Sequence, residues 1–289
     1  MLTFVRDKSN TLTAQKSINI KGTLLDLSVP KVMGILNVTP DSFYGGSRQQ
    51  TMADLLHSAD KMLNEGATFL DIGGYSTRPG AEDIDIKDEI KRVLEPIRQV
   101  ASRFPEAIIS IDTFRSEVAS EAIGAGAHIV NDISAGMLDD RMLERVGRMG
   151  VPYIAMHMRG TPQNMKQKTG YEDLLGEMTH YFSGRILAAK TAGIKDIIID
   201  PGFGFAKTVE QNFYLLNRVE YLKHLGHPLL IGVSRKSMVY KTLNIEAEAA
   251  LNGTTVLNTV ALLKGTSILR VHDVKEAVEA VKLVNQIIN

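Results

Sequence analysis

Eight short apolar runs, each closing on polar residues and each followed by a stretch of helical periodicity, restrict the fold of this chain more than any other feature. They are KVMGILN ending at Asn37, ATFLDIGG with Asp71, AIISIDT with Asp112, AHIVNDIS with Asn131, PYIAMHM with His157, DIIIDPG with Asp200, PLLIGVS ending at Ser234 and SILRVHD with His272. Such near-continuous hydrophobicity suits strands covered on both faces, and regular alternation with helices favours parallel pairing. A doubly wound open sheet and a closed (β/α)8 barrel both satisfy the pattern. Polar residues end nearly every run instead of gathering at one switch point, which favours the (β/α)8 TIM barrel.

The intervening segments carry their own helix signals. After Thr51, residues Met52, Leu55, Leu56, Ala59, Met62 and Leu63 share one face, with Asp54 completing a capping-box-like start and Gly66 at the stop. Thr208 with Gln211 opens a second helix, and Asp273 with Glu276 opens the last. Residues 1–28 fall outside this rhythm and read as an N-terminal β-hairpin that plugs the N-terminal mouth of the barrel. The expected organisation is one (β/α)8 domain over residues 1–289, a length at which a single core is ordinary for this architecture.

Composition narrows the chemistry. Lys plus Arg and Asp plus Glu balance at 33 each, so no global field draws the chain to nucleic acid or an anionic membrane, and any anion site must be local. With no cysteine, disulfides, thiolate nucleophiles and Cys-ligated metals are excluded. The segment MLTFVRDKSNTLTAQKS has no signal-peptide core, and no stretch approaches the roughly 18 to 20 apolar residues of a membrane span, so the cytoplasm is the expected compartment.

In a (β/α)8 barrel the chemistry lies where the strands end at their C-termini. That ring would bring together Asn37, Asp71, Asp112, Asn131, His157, Asp200, Lys236, Arg270 and His272, more polarity than a packed core tolerates without a ligand. Asp71 reads equally well as a cap on the following helix, so Asp71→Ala is expected mainly to lower stability. Two loops, TPDSFYGGSRQQ and YSTRPGAEDIDI, exceed the usual length of about 2 to 6 residues and are candidate lids.

The blocks MGILNVTPDSF, DIGGYSTRPGAE, ISIDTFRSEVA, IVNDISAG, MHMRGTP, IIDPGFGFAKT, IGVSRKSM and RVHDV, in that order, resemble the signatures of the dihydropteroate synthases. The resemblance runs from about Val32 to Asp273 and implies a transferase of folate biosynthesis, the target of sulfonamides. It would join 6-hydroxymethyl-7,8-dihydropterin pyrophosphate to 4-aminobenzoate. It implies that Asp112, Asn131, Asp200 and Lys236 meet the pterin edge, whose N–H groups need carboxylates and whose acceptors need amides or Lys. Met156 and Phe205 would wall the ring. Arg270 and His272 would hold the pyrophosphate, and Asn37 would contact the Mg2+ that bridges it. Ser237 would receive the 4-aminobenzoate carboxylate, with Asp41, Phe43, Thr77, Arg78 and Pro79 closing around that substrate.

The family reaction implies dissociative loss of pyrophosphate and attack by the arylamine on the pterin methylene, with Asp112 and Asp200 stabilising developing positive charge. A homodimer through the C-terminal half, including LNTVALLKG, is also implied. Two positions depart from the family pattern: Tyr75 stands where many relatives carry Glu, and Ala206 where Gly is usual. Ala206 is expected to demand an ordinary φ and alter its loop slightly. A methyltetrahydrofolate:corrinoid methyltransferase would explain Asp112, Asn131 and Asp200 but not SRKS, RVHDV and NVTPDSF. A non-catalytic paralogue would be expected to lose anion-site residues that are all present here.

Overall fold

The computed structural model describes residues 15–38, 48–75 and 84–288. Asp41, Phe43, Thr77, Arg78 and Pro79, with most of both proposed lids and the first half of the hairpin segment, lie outside the described residues.

Strands β1 (Ser17–Ile20) and β2 (Thr23–Asp26) pair antiparallel, Ile20 opposite Thr23. Between them Lys21 and Gly22 both take positive φ, 50° and 86°, the backbone that a two-residue hairpin turn requires. Eight parallel strands follow: β3 (Lys31–Asn37), β4 (Phe69–Gly73), β5 (Ile108–Asp112), β6 (Ile129–Asp132), β7 (Tyr153–Met156), β8 (Ile197–Asp200), β9 (Leu230–Ile231) and β10 (Ile268–Val271). They pair in the order β8-β7-β6-β5-β4-β3-β10-β9. A single bridge, Ile199 to Leu229, joins β8 to β9 and closes the ring. The (β/α)8 expectation and the hairpin are both met.

Side chains alternate along each strand, and the two sets have different partners. Val32, Leu70, Ile109, Val130, Ile197 and Leu269 pack outward into the large core shared with the helices. Met33, Phe69, Ile129, Ile154, Ile198, Leu230 and Ile268 instead point into the barrel and form a separate cluster with Ile18, Ile20 and Leu27 of the hairpin segment. The hairpin therefore seals the N-terminal end of the barrel, each large buried side chain contributing roughly 1.5 to 3 kcal/mol. Continuing the inward set by steps of two reaches Asn37, Asp71, Asp112, Asn131, Met156, Asp200, Arg270 and His272. An apolar floor thus lies beneath a polar upper layer.

Helices α1 (Arg48–Asn64), α2 (Ile86–Arg103), α3 (Ser116–Ala125), α4 (Met142–Met149), α5 (Leu174–Thr191), α6 (Val209–Arg218), α7 (Ser237–Leu243), α8 (Leu251–Leu263) and α9 (Val274–Ile288) surround the barrel. Thr208 and Gln211 form the complete capping box expected at the start of α6. The first helix corrects its expectation. It begins at Arg48, three residues before Thr51, so Thr51 lies within the helix and not at its cap. At the start of α9, Asp273 directs both carboxylate oxygens to Arg235, at 2.9 and 2.7 Å.

Candidate active site

The polar layer is wired across the barrel. Asp71, fully buried, accepts from Asn131 Nδ2 at 3.0 Å and from Arg270 Nε at 2.6 Å through the same Oδ2. Arg270 Nη2 donates to Asp112 Oδ2 at 2.7 Å. One guanidinium so bridges two carboxylates from strands two and three places away in the sheet, and the other Asp71 oxygen, buried, has no protein partner. Burial pushes the Asp112 carboxyl up to about 7 against the pull of Arg270, and Asp71 adds to the rise. Burial also works against the charge of Arg270, yet Asp71 and Asp112 outweigh it and hold the guanidinium charged.

Across the mouth, Asp200 ends β8 almost fully buried and accepts from Gly202 N at 2.7 Å. Burial raises its pKa, opposed chiefly by Lys236. Lys236 precedes α7 and its Nζ donates to Phe203 O at 2.5 Å while standing 5.1 Å from the centre of the Phe205 ring. Burial lowers Lys236 to about 8, with Asp200 pulling the other way. Met156 packs with Ile133, Met158, Met165 and Ala206, and half-buried Phe114, Leu138 and Phe205 lie against them, an apolar wall beside the polar ring.

The remaining expected members among the described residues lie at strand ends or, for Ser237, at a helix start, and of these His157 alone leaves the ring. Arg270, expected to hold pyrophosphate, is committed to the two carboxylates. His272 is exposed, with Nδ1 3.0 Å from Ser234 Oγ. Asn37 ends β3 exposed, and Ser237 is the half-buried first residue of α7. His157 does not join the ring, because it falls on the outward set. There it stacks edge-on against Tyr181, with ring centres 4.8 Å apart, and meets Lys207 Nζ at 3.0 Å. Asp71, set aside as a helix cap, is the link between Asn131 and Arg270.

The sequence reading also missed Arg235 and Glu89. Arg235, at φ 53°, ties the β9–α7 turn to Asp273 and to Glu248 O. Buried Glu89 accepts from Thr113 Oγ1 at 2.7 Å and Arg115 Nη1 at 2.8 Å. Arg115 in turn lies 5.2 Å over the Tyr75 ring, and the Tyr75 hydroxyl accepts from Gln163 Nε2 at 2.9 Å. The Tyr75 departure thus packs three mouth loops together. Ala206 overturns its expectation: it adopts φ 47°, the left-handed backbone natural to Gly. Among the described residues, no group of three or more His, Asp or Glu is placed to hold a metal, and no helix is long and apolar enough to cross a membrane.

Residues 33–272 match a family model described as pterin binding enzyme. The dihydropteroate synthase of Escherichia coli K12 is 43% identical over 266 residues, covering 91% of this chain and 94% of the relative. That of Synechocystis is 44% identical over 255 residues, covering 87% and 88%. Among solved structures, the Yersinia pestis dihydropteroate synthase with a sulfonamide drug complex superposes with a TM-score of 0.88 at 41% identity, covering 94% of this chain and 98% of the other. The Xanthomonas albilineans enzyme with 4-aminobenzoic acid also gives 0.88, at 36% identity, covering 95% and 98%.

Proposed function

This chain belongs to the pterin-binding enzyme family, among its dihydropteroate synthases, and from that premise we propose how its residues divide the reaction. The enzyme condenses 6-hydroxymethyl-7,8-dihydropterin pyrophosphate with 4-aminobenzoate to 7,8-dihydropteroate and pyrophosphate. The observation that carries the residue assignment is the inward polar layer: two carboxylates of raised pKa, half-buried Asp112 and buried Asp200, on the inward set with Asn131, beside Lys236.

Burial raises the pKa of both carboxyls, most of all where donors are few. The pterin edge would supply N–H donors, which favour the charged forms of Asp112 and Asp200. Asn131 and Lys236 would serve the ring's remaining polar atoms, and Met156 and Phe205 would cover its faces. When the bond from the methylene carbon to the pyrophosphate oxygen breaks, its electron pair leaves with pyrophosphate. Positive charge then develops on the pterin beside Asp112 and Asp200, which are fixed there before reaction. The arylamine nitrogen next bonds to the methylene carbon and releases one proton. Ser237 would orient the 4-aminobenzoate carboxylate, with Asp41, Phe43, Thr77, Arg78 and Pro79 completing that side. Arg270 would hold Asp112 in place and, with His272, lend positive charge toward the leaving group.

Asn37 fits a Mg2+ ion that arrives largely on the substrate, since it offers one hard oxygen at an exposed strand end where no acidic cluster competes among the described residues. When bound, the ion would neutralise the leaving pyrophosphate. We further propose a cytoplasmic homodimer. Its support is the apolar surface of Tyr214, Leu243, Val256 and Leu263 on neighbouring α6, α7 and α8. The assay is pyrophosphate release with direct detection of dihydropteroate, with and without Mg2+ and 4-aminobenzoate. Product that requires both additions supports this reading, whereas pterin binding without turnover would replace it with a binding protein.

A further inference from the structure

The loop after β8, residues 201–207, is held from beneath by a side chain that no step above uses. Lys207 is 8% exposed, and its Nζ lies 3.0 Å from Gly202 O, 3.1 Å from Phe205 O and 3.0 Å from His157 Nδ1. Carbonyl oxygens only accept, so two N–H groups go to the loop's own backbone. His157 is itself buried, and that burial holds its ring neutral, so Nδ1 can accept the third. An ammonium satisfies all three partners at once.

What this side chain holds is the support of the reacting site. Gly202, whose carbonyl Lys207 fixes, gives its N–H to Asp200 Oδ1 at 2.7 Å. Phe205, whose carbonyl it also fixes, forms the wall over which Lys236 stands. The rest of the loop backbone is tied as well, with Gly204 N donating to Asn212 Oδ1 at 2.8 Å and Tyr171 Oη to Ala206 O at 2.9 Å. The loop lies so close to β7 that a Cβ on Gly202 would come within 2.1 Å of His157 O. Burial pushes Lys207 down to about 7, and nearby Asp200 pulls the other way. An apolar residue could fill the same space without a desolvation penalty but would leave both loop carbonyls and His157 Nδ1 without this donor.

We propose that Lys207 is a positioning residue for the pterin half of the reaction, acting through Asp200 and Phe205 by anchoring the backbone on both sides of Phe203 to His157. The proposal rests on the assignment of Asp200 and Phe205 to the pterin.

Lys207→Met keeps the length and removes the donors. The experiment compares it with wild type by KM for the pterin pyrophosphate, KM for 4-aminobenzoate and calorimetric Kd for 6-hydroxymethyl-7,8-dihydropterin, with circular dichroism to establish folding. The expected result is a rise of about tenfold or more in the pterin KM and Kd, with the 4-aminobenzoate KM within about threefold of wild type. An unchanged pterin KM in a folded variant, or equal rises for both substrates, overturns the proposal. Should Lys207→Met fail to fold, the absence of native cysteine allows a second route. Lys207→Cys protein, unfolded, alkylated with 2-bromoethylamine and refolded, regains an ammonium at this position alone. Recovery of pterin affinity on alkylation supports the role, and identical affinity before and after removes it. Wild-type protein is the control: if it makes no dihydropteroate, the functional reading itself fails, independently of Lys207.

Discussion

Asp71 gives a single carboxylate oxygen to Asn131 and Arg270, and Arg270 spends a second donor on Asp112. Removing that carboxylate would free a half-buried guanidinium and a buried amide, both assigned above to the reaction. Asp71→Asn is therefore expected to lower kcat/KM by about 100-fold while the protein stays folded. Near-wild-type turnover with a lowered Tm would return Asp71 to the purely structural role that its place at a strand end suggested. That role was a fair reading of one residue, because capping aspartates are common there. The choice needed the inward parity, which only the floor beneath it reveals. His157 misled for the same reason in reverse, being polar and near a strand end but on the outward set.

A residue far from the mouth carries a pH effect. His128 Nδ1 accepts from Ile109 N at 3.1 Å, and burial, helped by Lys21, pushes its pKa down to about 4. A histidine whose pKa is depressed by folding stabilises the native state above its unfolded value, near 6.5, and that contribution is lost as pH falls from there toward 4. The raised carboxyls of Glu89, Asp112, Asp132 and Asp200 act in the opposite sense. Comparing wild type with His128→Asn isolates the histidine. By pH 5 the difference in unfolding free energy between them should narrow by roughly 2 kcal/mol relative to pH 7.5, and a constant difference would show that His128 is not held neutral.

At the scale of elements, the sequence was most informative where local chemistry decides the structure. The capping box of Thr208 and Gln211 needs only four residues to form, and Thr208→Ala should cost about 1 kcal/mol in chemical denaturation. An unchanged midpoint would show that packing alone starts α6. The strand ends were legible for a similar reason, since apolar runs closing on Asp or Asn leave little choice of register. What could not be read was contact at long separation. Arg235 and Asp273 are 38 residues apart and join the turns after β9 and β10 only because those strands are neighbours in the barrel. Gly202 shows the same limit. Nothing in DPGFGF announces that a methyl group there would strike His157 O, yet Gly202→Ala, at φ 69° and 2.1 Å from that oxygen, should destabilise by several kcal/mol.

For the whole molecule, the hairpin and the polar ring are two ends of one layered interior. The apolar floor of Met33, Phe69, Ile129, Ile154, Ile198, Leu230 and Ile268 shields the barrel from below, so the carboxylates above it work in a medium where their charges act strongly. Ile18→Asp would place a charge against that floor and is expected to lower stability by about 3 kcal/mol or more, read as the midpoint of urea unfolding. The architecture followed from the alternation of eight runs, whereas the one-bridge seam between β8 and β9 was invisible in it. The measurement closest to the central claim is the rate of dihydropteroate formation by wild type, Asp200→Ala and Arg270→Ala under saturating Mg2+ and both substrates. The account predicts one dihydropteroate per pyrophosphate from wild type and a fall of about 100-fold or more in each variant. Wild-type turnover by Asp200→Ala would contradict it.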